Sequence, residues 1–81
     1  MAHHREHATR IHDLARLHPG DTLEARRYGT VRYRGVVEEV APHLDILWLR
    51  HGSWRERTIL EAAEYELWKV TGSHRPFLGV P

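Results

Sequence analysis

The residues best suited to chemistry in this chain are arginines with aromatic rings set among them. Arg26, Arg27, Arg32 and Arg34 fall in a stretch free of acids, and Arg50, Arg55 and Arg57 form a second group interrupted only by Glu56. Tyr28 and Trp54 stand within the two groups. A guanidinium fork pairs with phosphate oxygens, and a flat exposed ring stacks on an unpaired base. Brought to one end of a small domain, these nine residues would bind RNA or single-stranded DNA. The same residues admit a second reading. The arginines are solvated or pair with Glu38, Glu39 and Glu56 across strands, and Trp54 caps the core. Of twelve lysines and arginines only Lys69 is lysine, a bias that a GC-rich genome produces without any binding role.

Other constellations are weaker. Five histidines (His3, His4, His7, His12 and His18) lie in the first eighteen residues. His3 and His7 would share a helix face, but two ligands do not make a structural metal site. No metal and no other cofactor is expected. Ser53 stands near His51 and Asp45, yet nucleophilic catalysis needs an oriented base and an oxyanion site that one short hairpin rarely supplies. Glu61, Glu64 and Glu66 read as a solvated surface. The expectation is a non-catalytic binding module. Trp54, Phe77 and Tyr28 are hard to bury in so short a chain, which keeps a protein–protein adaptor or a small homo-oligomer as the alternative.

The elements that must position these residues are short. Residues 1–17 are predicted to form a helix, because Ala8, Ile11, Leu14 and Ala15 recur at three- and four-residue spacing and His18-Pro19-Gly20 stops the pattern. Strands are predicted at 22–26, 31–40, 45–50 and 55–60. Arg27 to Thr30, a turn at 41–44 and a loop at 51–54 join them. A helical turn at 61–64 precedes a last strand at 65–70, although a continuous helix across 58–70 also fits the spacing. Gly35, inside the longest strand, is expected at a bulge or bend. Val37, Val40, Leu47, Leu49 and Leu67 are the expected core, with Trp48, Trp68 and Tyr33. Ile11 and Leu14 are expected to cover the outer face near Ile46 and Trp48.

Four strands, a helical turn and a fifth strand is the order of SH3-like barrels. Within that group, Gly20-Asp21-x-Leu23-x-Ala25 followed by Gly35-x-Val37-x-x-Val40 resembles the KOW-type motif of ribosomal and transcription-elongation proteins. The resemblance covers about a quarter of the chain and implies a glycine that starts or bends a strand, with spaced aliphatics filling the core. The run Tyr33 to His43 and the segment Glu64 to Leu67 also look similar to small uncharacterised proteins of actinobacteria and their phages, a likeness that implies a bacterial setting and carries no activity. The expected fold is therefore mainly β: a five-stranded SH3-like barrel over residues 20–70, an N-terminal α-helical segment over 1–19 and a flexible tail over 71–81.

Size and composition set the outer bounds. With 81 residues the chain has room for one domain. It has no cysteine, so disulfides and thiolate zinc sites are excluded. The net charge of +1 gives no global pull toward nucleic acid. No apolar run reaches the roughly 20 residues of a membrane span, so the expectation is a soluble, cytoplasmic protein without a membrane partner.

Overall fold

The computed structural model describes residues 6–72. Within them the chain forms six strands: β1 (Glu6–Ile11), β2 (Thr22–Arg27), β3 (Thr30–Ala41), β4 (Ile46–His51), β5 (Glu56–Glu61) and β6 (Glu66–Gly72). They make one antiparallel sheet in the order β1-β6-β2-β3-β4-β5. Three single 3-10 turns, Leu14–Arg16, Pro42–Leu44 and Ala62–Glu64, are the only helical elements among the described residues.

This overturns the expected five-stranded barrel with an N-terminal helix. The sheet is open: β1 pairs only with β6, and β5 only with β4. The segment expected as a helix is instead a sixth strand. Ile11 and Leu14, which suggested one apolar helical stripe, reach the core separately, Ile11 from β1 and Leu14 from the following 3-10 turn. Ala8 and Ala15, the other members of that stripe, are exposed. A thin stripe stabilises an isolated helix poorly, whereas the free edge of β6 pairs with β1 along its whole length and bonds the backbone groups of alternate residues. Asp13 caps the 3-10 turn by accepting from the Ala15 amide at 2.9 Å, which ends the strand. Of the flexible tail expected over 71–81, Thr71 and Gly72 instead belong to β6, paired with β1. Residues 73–81, and residues 1–5 of the expected helix, lie outside the described residues.

One face of the sheet carries the core. Ile11, Leu23, Ala25, Val37, Leu47, Leu49, Leu60 and Leu67 alternate along their strands with outward residues, and Leu14 and Leu17 join them from the first connection. All belong to one cluster, which requires the sheet to curl around them. Val40 and Tyr33 are partly buried against it. Ile11 and Leu14 thus lie in the core and do not cover the outer face. Trp48 and Trp68 are half-buried on that outer face, where they cover the sheet instead of filling its interior.

The bulges fall beside Gly35, not on it. The β2–β3 register shifts at Ala25/Arg26 and the β3–β4 register at Val37/Glu39, leaving Arg32 and Glu38 as extra residues on β3. Gly35 serves another purpose. It pairs with His51, and a Cβ added to it would overlap the Arg50 carbonyl oxygen. The absent side chain lets the β3 and β4 backbones approach closely at this pair.

Candidate nucleic-acid interface

The β2–β3 hairpin closes through two residues, Tyr28 and Gly29, between the paired Arg27 and Thr30. Both have positive φ, 53° and 75°. That is the pattern of a type I′ turn, whose first position favours Asn, Asp or Gly. A tyrosine there is strained, at a cost of order 1 kcal/mol, and burial does not repay it: Tyr28 is 84% exposed.

Behind the tip lies a groove of about 430 Å³ lined by Arg27, Tyr28, Arg32, Tyr33 and Tyr65. Arg32 and Tyr33 are consecutive, and a regular strand would send them to opposite faces. The bulge at Arg32 re-aims its side chain so that both line the groove. Tyr33 and Tyr65 meet edge-on with centroids 6.0 Å apart, and Tyr33 meets the His51 ring at 5.0 Å. The Arg27 guanidinium lies 5.3 Å from the Tyr28 centroid and 5.9 Å from that of Tyr65, and its Nη2 is 3.2 Å from Glu64. Tyr65 enters from the end of the 3-10 turn Ala62–Glu64. Sequence reasoning placed Arg27, Tyr28 and Arg32 in a binding end but assigned Tyr33 to the core alone and missed Tyr65, which only the return of β6 beside β2 brings near.

The remaining arginines do not join this groove. Arg26 and Arg34 both hold Glu24 on the outer face: Arg26 through Nε at 3.1 Å and Nη2 at 2.7 Å, and Arg34 through Nη1 at 2.7 Å. Arg34 also donates to Glu6 at 2.7 Å. Arg26 stacks over Trp68 at 4.7 Å, with Arg10 at 6.0 Å from the same ring. Arg50 and Arg57 both donate to Glu38, Arg50 at 2.9 Å, and Arg57 reaches Glu39 at 3.4 Å and lies over Trp48. The Arg26 hydrogen bond, supported by Arg34 against burial, holds the Glu24 carboxyl below its ordinary pKa. Arg57 and then Arg50 do the same for Glu38. The Glu38 and Glu39 pairs are the cross-strand neutralisation that the second reading of the sequence allowed. Glu24 and Glu6 are further partners that it did not name, and the Arg26–Glu24 pair lies within β2. Glu56, which it did name, forms no ion pair among the described residues.

Trp54 does not cap the core. It is 89% exposed in the four-residue loop between β4 and β5, next to Arg55, whose φ is 56°. Arg32 and Arg55 form no ion pair among the described residues. Arg34, Arg50 and Arg55 line a smaller depression of about 180 Å³ with Gly35, Val36 and His51. His51 donates to or accepts from Thr58 at 2.6 Å, so its ring is engaged away from Ser53. Asp45 precedes β4 and Ser53 follows it, so the length of a strand separates the triad considered from the sequence. No group of three metal-binding side chains occurs among the described residues, and His3 and His4 lie outside them. No helix among the described residues is long and apolar enough to cross a membrane.

No protein-family model, curated protein or solved structure matches this chain. The SH3-like and KOW-type resemblance therefore rests on the quoted residues alone.

Proposed function

We propose that the protein is a non-catalytic binding module that takes single-stranded RNA or DNA in the groove behind the β2–β3 hairpin. The observation that carries this reading is Tyr28. A strained and exposed ring at a hairpin tip stands over a groove with two further tyrosines and two arginines. Rings supply stacking surfaces for bases, and Arg32, which has no ion pair among the described residues, supplies charge for a phosphate, while Arg27 shares its charge with Glu64 at 3.2 Å. The same two arginines repel a cationic ligand, which argues against a methyl-ammonium cage despite the three rings. Charge elsewhere supports only a small footprint, since Arg26, Arg34, Arg50 and Arg57 are held by carboxylates. The groove itself, about 430 Å³, suits a short stretch of single strand and not a long tract.

The site is tested by amide chemical-shift mapping with a short single-stranded oligonucleotide. Shifts concentrated at Tyr28, Gly29, Arg32, Tyr33 and Tyr65 support the reading. Shifts concentrated at Trp54 and Arg55, with the groove silent, place the binding elsewhere.

A further inference from the structure

We infer that β5 is a self-association edge, and that two copies of this chain join their sheets antiparallel through a two-fold axis at Ile59. β5 is the last strand of an open sheet, and β4 is its only partner among the described residues. Its outer backbone groups are therefore available to another strand. Edge strands are usually guarded by charge, and β5 carries Glu56, Arg57 and Glu61. Here the charges select one register instead of blocking all of them. With Ile59 opposite Ile59 of a second copy, Arg57 faces Glu61 of that copy and Glu61 faces its Arg57. Arg57 already donates to Glu38 and Glu39, so the cross-copy contact extends that network, and both ends of the contact are complementary. Thr58 then faces Leu60.

Neighbouring registers fail. A slip of one residue toward the N-terminus sets Glu56 against Glu61 twice, and one toward the C-terminus sets Ile59 against Leu60; both join the inner face of one sheet to the outer face of the other. A slip of two sets Arg57 against Ile59 in one direction and Ile59 against Glu61 in the other, with no unlike charges paired within β5 in either. Only the register centred on Ile59 keeps the faces aligned and pairs unlike charges.

The apolar surface agrees with that centre. Ile59 is 58% exposed on the outer face, directly across from Trp48. Pairing at the axis sets two isoleucines side by side with a tryptophan flanking each, a small apolar core with an ionic rim. Six residues of edge bury little area, so the dimer is a weak one that populates at high protein concentration.

Sedimentation velocity over a concentration series up to about 500 μM tests this, a range chosen for a weak interface. The wild type should move from a 9.5 kDa monomer toward twice that mass. Ile59→Lys, which sets like charges against each other at the axis, should remain monomeric throughout while keeping the wild-type circular dichroism. A charge-swap pair guards against a merely unfolded variant. Glu61→Arg and Arg57→Glu should each be monomeric alone and should form a mixed dimer when combined, because only the mixture restores both unlike pairs. A wild type that stays monomeric, an Ile59→Lys variant that still dimerises, or a mixture that does not associate overturns the proposal.

Discussion

Gly35 lies so close to the Arg50 backbone that a Cβ on the glycine would stand 2.9 Å from the Arg50 carbonyl carbon and closer still to its oxygen. The neighbour is backbone, not a flexible side-chain end, so it cannot rotate away. Gly35→Ala should therefore destabilise the domain by about 3 kcal/mol, the upper part of the usual overpacking range. Urea denaturation measures it. A loss below about 1 kcal/mol would mean that β3 and β4 part more easily than their pairing indicates.

Leu49 is fully buried at the centre of the one core cluster, opposite Val37. Leu49→Ala should cost about 2–5 kcal/mol. That is a large share of what a domain this small has, so the variant should melt well below the wild type in calorimetry.

The middle of the chain was largely legible as sequence. The strands containing Leu23, Val37, Leu47, Leu60 and Leu67 and the turn before β6 lie within a residue or two of their predicted bounds, because each is an apolar-bearing run with β-favouring residues, bounded by turn residues such as Gly29, Pro42 and Gly52. The first element was not. Ile11 and Leu14 are three apart, and a strand followed by a 3-10 turn buries both as readily as a helix does. Only the free edge of β6 decides between them, and that is a tertiary fact. The binding end was half legible. Arg27, Tyr28 and Arg32 are neighbours in sequence and share a groove, whereas Arg26 and Arg34 are drawn off by Glu24, whose pairing with Arg34 across the β2–β3 ladder no local spacing reveals.

Removing β1 tests the corrected N-terminus. A chain starting after Ile11 loses the buried Ile11 side chain and leaves the β6 edge facing β1 unpaired. Its melting temperature should fall and amide exchange along Glu66–Gly72 should accelerate. Unchanged exchange in β6 would show that β1 adds nothing to the sheet.

Acid should destabilise the fold through Glu24 and Glu38. Each carboxyl is held below its ordinary value near 4.5 by paired arginines. A group depressed in the folded state contributes stability that is complete above its unfolded pKa and is lost as pH falls through the folded one. Melting temperature should therefore be steady down to about pH 4.5 and drop below it. Glu24→Gln should flatten part of that drop. A wild-type profile that stays level to about pH 3 would contradict these networks.

Tyr28→Asn separates stability from binding. Asparagine suits the positive φ of the turn, so the variant should gain up to about 1 kcal/mol of stability. If the ring is a stacking surface, the same change should weaken oligonucleotide binding. A variant both less stable and unaltered in binding would remove Tyr28 from the site.

Fluorescence anisotropy with a labelled single strand of about ten nucleotides, titrated at several salt concentrations, tests the binding reading most directly. The wild type should bind with an affinity that falls as salt rises, since each neutralised phosphate releases counterions. Tyr28→Ala should cost about 1–3 kcal/mol of that binding. Arg32→Ala should make the salt slope shallower by roughly 0.7, the share of one phosphate contact on a single strand. Absence of binding at about 50 μM protein in low salt, or binding that neither substitution changes, would contradict a nucleic-acid site in the groove behind Tyr28.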